Sequence, residues 1–134
     1  MNIALLAHDG KKELMCQFCI AYCGILSGHE LCATSTTGKL ITEATGLPVT
    51  LYLSGTHGGA QQIGARIAYN EIDLVLYFCD PKGDTKDVDA IARLCDERSI
   101  PFASNVATAE VLVQGLRRGD LDWRDIVNPK RGKK

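Results

Sequence analysis

Leu74-Val75-Leu76-Tyr77-Phe78 is a run of five aliphatic and aromatic side chains, closed by Cys79-Asp80-Pro81. A strand with one wet face alternates polar and apolar residues. This one does not, so Ile72–Phe78 reads as a central strand covered on both sides. Outward from it, short apolar runs alternate with helix-length amphipathic segments. Strands are predicted at Ile3–Ala7, Glu30–Ala33, Val49–Leu53 and Pro101–Ala103. Helices are predicted at Lys11–Leu26, Gly38–Thr45, Gln61–Asn70, Asp87–Arg98 and Thr108–Gly115. Gly46 and Pro48 stop the second of these, and Gly115 is read as the C-terminal cap of the last. Strand–helix alternation repeated five times calls for a parallel sheet with helices on both faces.

The chain has 134 residues, 15 basic and 16 acidic, for a formal net charge of −1. That length fits one domain over residues 1–134. A balance of 46% hydrophobic to 23% charged residues is that of a globular protein and excludes a disordered chain. Near-neutral charge excludes a generally basic nucleic-acid surface, and no apolar run approaches the ~20 residues of a membrane span. Met1–Ala7 runs into His8-Asp9 with no basic lead, so it reads as the first strand rather than an export signal. A reducing, cytoplasmic setting is expected. Cys16, Cys19, Cys23, Cys32, Cys79 and Cys95 are then expected to pack as free thiols, not as a disulfide framework. The first three share one helical stripe, and Cys16-x-x-Cys19 has no second such pair to build a zinc site. The basic run Lys130-Arg131-Gly132-Lys133-Lys134 reads as a solvated terminus.

In open parallel sheets, ligands bind beyond the carboxyl ends of the strands. The predicted strands exit through His8-Asp9-Gly10-Lys11-Lys12, Thr34-Ser35-Thr36-Thr37-Gly38, Ser54-Gly55-Thr56-His57-Gly58-Gly59, Asp80-Pro81-Lys82-Gly83-Asp84 and Ser104-Asn105. Polar, glycine and titratable residues therefore gather on one edge. Thr34–Gly38 sets four hydroxyls before a helix whose first N–H groups lack intrahelical partners, while a cap needs only one. Lys12 adds a full charge, and Gly55 beside Ser54 lets a ligand approach the main chain. Two readings of the turn stand: a polar N-cap, or a phosphate pocket. With neither a P-loop nor Gly-x-Gly-x-x-Gly, the pocket fits a small phosphorylated metabolite better than a nucleotide. Asp9, Asp80, Asp84 and Asp87 are candidate acids at the same rim, whereas His29 precedes a strand and reads as structural.

Five blocks together resemble the methylglyoxal synthase family. They are Ala7-His8-Asp9-x-x-Lys12, Ala33-Thr34-x-Thr36-Thr37-Gly38-x-Leu40-Ile41, Ser54-Gly55-x-x-Gly58-Gly59-x-Gln61-Gln62-Ile63-Gly64-Ala65, Asp80-Pro81, and Ile100-Pro101-x-Ala103-x-Asn105-x-Ala107-Thr108-Ala109. The resemblance covers about residues 2–113. It implies a Rossmann-like α/β domain, a three-layer α/β/α sandwich on a five-stranded parallel sheet, assembled as a homohexamer. It also implies conversion of dihydroxyacetone phosphate to methylglyoxal and inorganic phosphate without a metal or organic cofactor. By the same resemblance Lys12, Thr34, Thr36, Thr37, Ser54 and Gly55 hold the phosphate, and His8 and Asp9 line the reacting end. Asp80 and Asp87 match two further functional acids, with Arg93 and Asn105 in support.

Two departures bear on catalysis. The family reads Gly-Gly-Asp-Gln-Gln, its aspartate being the general base, and here that position is Ala60. The family also carries a histidine in the loop after Asp-Pro; here the loop is shorter and Asp84 stands in that place. Losing a general base typically costs about 10²–10⁴-fold, roughly 3–5 kcal/mol. His57, on the same glycine-rich loop, is a candidate replacement base because a neutral imidazole accepts a proton near neutral pH, and Asp87 is the other. The alternative function is a member that binds a phosphorylated metabolite as a sensor without turning it over.

Overall fold

The computed structural model describes residues 1–128; the basic run at 130–134 lies outside the described residues. Five strands form one parallel sheet in the order β3-β2-β1-β4-β5. They are β1 (Asn2–Ala7), β2 (Glu30–Thr34), β3 (Val49–Tyr52), β4 (Leu74–Phe78) and β5 (Phe102–Ala103). The helices are α1 (Lys12–Ala21), α2 (Cys23–Leu26), α3 (Ser35–Thr45), α4 (Gly59–Ala68), α5 (Lys86–Arg98), α6 (Val106–Arg118) and α7 (Trp123–Val127). The expected three-layer α/β/α architecture is the one observed.

The pleat of β4 divides the core in two. Leu74, Leu76 and Phe78 join one cluster with Met15 and Phe18 of α1, Ile41 of α3 and Val113 of α6. Val75 and Tyr77 join the other, with Ile63 and Ile67 of α4 and Val88 and Ile91 of α5. All five residues of β4 are buried, as its unbroken apolar run requires. From β1 the chain winds outward through β2 to β3, then returns to place β4 on the other side of β1. The strand order reverses between β1 and β4, and a crevice opens beyond their carboxyl ends at such a switch point.

Several elements differ from their predicted extents. The predicted helix Lys11–Leu26 is broken at Tyr22, whose φ of −111° and ψ of 23° separate α1 from α2. α3 begins at Ser35, three residues before the predicted start, so the hydroxyl-rich turn is the first turn of that helix. α6 runs through Gly115 to Arg118, and Gly119, at φ 84°, is its left-handed C-terminal residue. Gly115 is therefore not the cap. Burial of Val113 and Leu116 outweighs the ~1 kcal/mol that a mid-helix glycine costs.

α7 is absent from the sequence reading. Its Arg124 is only 1% exposed and lies against the carboxylate of Asp73, also 1% exposed, with Nε donating to Oδ1 at 3.0 Å. Nη1 donates to the Ser99 carbonyl and Nη2 to Asn70 Oδ1 and the Ile72 carbonyl. Asn70 and Ser99 are the two non-glycine residues with positive φ among those described, at 59° and 55°. Both are thus held in a costly backbone region by one guanidinium.

Candidate functional site

A cavity of about 640 Å³ opens where the strand order reverses, beyond the ends of β1 and β4. Its lining includes Lys12, Thr34, Thr36, Ser54 and Gly55, five of the six residues that the resemblance assigns to phosphate. Lys12 Nζ lies 2.6 Å from Asp9 Oδ1 and 3.4 Å from the Ala7 carbonyl, which points the ammonium back across the rim. That hydrogen bond, and then the charge of Lys12, hold the fully exposed Asp9 carboxyl below its usual range. Asp9 therefore stays an anion and serves to orient the lysine. Thr37 does not line the cavity. Its Oγ1 is fully buried with no hydrogen-bond partner among the described residues, a state that costs about 1–3 kcal/mol.

The glycine-rich loop is shaped by close backbone approach. Gly58 has φ 97°, and a Cβ on Gly59 would sit 1.8 Å from the Leu53 carbonyl oxygen. The N–H groups of His57 and Gly59 both donate to the Ser54 carbonyl, folding the loop into a 3-10 turn over Gly55–His57. The exposed ring of His57 is not part of the cavity lining. Its Nδ1 is 2.6 Å from Ser54 Oγ and 3.2 Å from Thr56 Oγ1, so the ring is held against those two hydroxyls.

The same lining includes His8, Ala60, Tyr77, Asp80, Asp84 and Asp87; the strand order sets Asp80 and Asp84, beyond β4, across β1 from Thr34 and Ser54, beyond β2 and β3. The Asp80 backbone N–H donates to His8 Nδ1 at 2.7 Å. Nδ1 is thereby the acceptor, and Nε2 carries the ring proton of a neutral imidazole. Asp80 and Asp84 each accept a backbone N–H two residues on, from Lys82 and Lys86, which fixes the short loop before α5. Half-buried Asp87 accepts from Gln61 Nε2 at 3.1 Å. Gln61 follows Ala60 on α4, so Asp87 is tied across the helix pair to the position where the family carries its base. A smaller, largely apolar cavity of about 310 Å³ between α4 and α5 shares both Ala60 and Asp87.

Two supporting residues lie elsewhere. Asn105 caps α6, its Oδ1 accepting from Thr108 N at 3.0 Å, and Arg93 is exposed on α5; neither lines the cavity. Tyr77 is the lining residue that sequence reasoning missed. It was counted among the apolar residues of the central strand, and its hydroxyl was the overlooked signal. All six cysteines are free, with Cys19, Cys32 and Cys95 buried. Among the described residues no group of three or more His, Cys, Asp or Glu is placed to hold a metal ion, and no helix is long and apolar enough to cross a membrane.

Comparison with known proteins agrees with this geometry. Residues 20–104 match the MGS-like domain family. A methylglyoxal synthase of Caldicellulosiruptor saccharolyticus is 61% identical over 133 residues, covering 97% of this chain and 94% of the relative. One from a Geobacillus species is 53% identical over 135 residues, covering 98% and 96%. The crystal structure of methylglyoxal synthase from Elizabethkingia anophelis superposes with a TM-score of 0.77 at 42% identity, covering 84% of this chain and 76% of that one. With the sheet order, the strand-end cavity and near-full-length identity in agreement, the chain belongs to the methylglyoxal synthase family.

Proposed function

We propose that the protein is a lyase that eliminates phosphate from dihydroxyacetone phosphate to give methylglyoxal, with its general base moved from the glycine-rich loop to Asp87. The observation that carries this is one cavity whose lining holds a lysine and several hydroxyls together with an imidazole, a phenol and the carboxylates of Asp80, Asp84 and Asp87. The dianionic phosphate sits against Lys12, Thr34, Thr36 and Ser54, because the carboxylates of Asp80, Asp84 and Asp87 would repel it.

Seated in this way, the substrate turns its carbonyl and hydroxymethyl carbons toward His8 and Asp87. The Asp87 carboxylate takes a proton from the hydroxymethyl carbon. The C–H electron pair becomes the carbon–carbon double bond of an enediolate, and the carbonyl π pair moves onto oxygen. His8 Nε2–H donates to that oxygen as it becomes negative. The enediolate hydroxyl then gives its proton to the departing phosphate; the O–H pair becomes the aldehyde carbonyl, the double bond shifts toward the phosphate-bearing carbon, and the C–O bond breaks with its electron pair on phosphate. The remaining enolate takes the proton held by Asp87 at its terminal carbon and becomes methylglyoxal. His57, braced on Ser54, positions the phosphate end and is not the base in this scheme.

Exposed Leu51 on edge strand β3 and exposed Leu53 just beyond it support assembly with further copies of the chain, a homohexamer by the family resemblance. Six free thiols support a reducing cytoplasmic setting. The proposal is tested with Asp87→Asn. A turnover number lowered by about 10²–10⁴-fold, with inorganic phosphate still bound normally, is expected of a lost base. Unchanged turnover would remove Asp87 from the role.

A further inference from the structure

The family resemblance leaves one role unfilled beside His8: a second hydrogen-bond donor to the substrate carbonyl oxygen, in place of the histidine that the shortened loop lacks. Asp84, which occupies that place, has only acceptors to offer when ionised. We propose that the phenol of Tyr77 fills the role as a catalytic residue, donating its O–H to the enediolate oxygen beside His8. This deepens the lyase reading and rests on it.

The geometry carries the assignment. Tyr77 is the fourth residue of β4, and the pleat sends its ring to the face shared with Ala60, Leu6 and Val88. The side chain is 6% exposed, and what remains accessible lines the cavity with His8, Asp80 and Asp87. Its ring meets the His8 imidazole edge to face, centroids 5.7 Å apart at 81°. Among the described residues the hydroxyl has no protein hydrogen-bond partner. A hydroxyl with no partner, on a ring packed edge to face against His8 in the lining of the same cavity, is the second donor that such an oxyanion site needs.

The electrostatics agree. Burial, followed by the charges of Asp87, Cys79 and Asp84, pushes the phenol up to about 12. Tyr77 thus keeps its proton throughout the neutral range and acts by hydrogen bonding, with no proton transferred to or from the ring. Two carboxylates close enough to disfavour a phenolate also oppose charge on the enediolate, so hydrogen-bond donors set against that oxygen have more to offset. The oxyanion is met by neutral O–H and N–H groups, while the charged Lys12 is reserved for the phosphate.

Tyr77→Phe removes one oxygen and keeps the ring against His8, so the fold is retained; an unchanged melting temperature checks this. Three quantities are measured on wild type and variant: steady-state kinetics with dihydroxyacetone phosphate, affinity for inorganic phosphate, and affinity for phosphoglycolohydroxamate, a planar mimic of the enediolate. The expected result is a turnover number down about 10²-fold with little change in KM. The hydroxamate is expected to weaken by about tenfold or more while phosphate binding is unchanged. Wild-type turnover matched by the variant, or hydroxamate and phosphate weakening in step, overturns the assignment. A wild type that makes no methylglyoxal overturns the lyase reading instead, and the hydroxamate-to-phosphate affinity ratio still decides whether Tyr77 is an oxyanion donor.

Discussion

The backbone N–H of Asp80 donates to Nδ1 of His8 across 2.7 Å, joining the carboxyl ends of β4 and β1 at the point where the strand order reverses. One hydrogen bond sets both the tautomer of the imidazole and the start of the loop that carries Asp80 and Asp84. Asparagine matches the Nδ1 position of histidine, and glutamine matches Nε2. His8→Asn should therefore keep the Asp80 bond yet lose the donor to substrate, and its turnover number should fall about 10²-fold. His8→Gln should retain more activity than His8→Asn; the reverse order in steady-state assays would place the substrate contact at Nδ1.

Ala60 is 3% exposed and borders both the main cavity and the apolar one beside it. Ala60→Asp restores a carboxylate at the family's base position. Turnover should rise, and the melting temperature should drop because a charge is placed among Ile63 and Val88. No gain in activity, measured as methylglyoxal formed per enzyme, would mean that Asp87 already meets the need in full.

Lys12→Ala removes the one ammonium that lines the cavity among the described residues. Charge-assisted hydrogen bonds are worth about 1.5–3 kcal/mol, so affinity for inorganic phosphate should weaken by roughly 10–100-fold in calorimetric titration. A change smaller than twofold would locate the phosphate elsewhere.

Arg124→Ala leaves Asp73 buried without its guanidinium and frees Asn70 and Ser99 from their common partner. A loss of about 3–5 kcal/mol in denaturant unfolding is expected. Asn2 N still donates to Asp73 Oδ2 in the variant, which places the result toward the lower end.

Burial raises the Cys19 and Cys95 thiols from 9.0 to about 12 and the Cys32 thiol to about 11. In the folded chain these groups stay neutral while their unfolded counterparts ionise above pH 9. Their contribution to stability is complete below pH 9 and falls as pH rises through 11. Thiol labelling at pH 8 should modify Cys16, Cys23 and Cys79 first, and the buried three only with denaturant. Rapid labelling of Cys19 in the native protein would contradict the observed packing.

The strands were legible because β4, β1 and β2 are continuous apolar runs that only a covered parallel sheet accommodates. That Thr34 and Thr36 line the strand-end cavity was legible too, since more hydroxyls crowd Thr34–Thr37 than a cap can use. Other features depend on contacts distant in sequence. α7 is five residues long with weak patterning, and it is held by Arg124 reaching Asp73, 51 residues away. His57 shares the glycine-rich loop with Ala60, but the 3-10 turn directs its ring onto Ser54, a rotation that no spacing rule encodes. Tyr77 was hidden by its neighbours: one hydroxyl in a wholly apolar strand scores as core, and only the end of the strand shows that it reaches a cavity.

The most direct measurement is a ³¹P spectrum of dihydroxyacetone phosphate followed over time with the wild-type protein at neutral pH. The account predicts that the ester signal gives way to inorganic phosphate, with an equal amount of methylglyoxal formed and a rate that saturates with substrate. Saturable binding of the ester with its signal persisting at the uncatalysed rate would contradict it and make the protein a sensor for a phosphorylated metabolite.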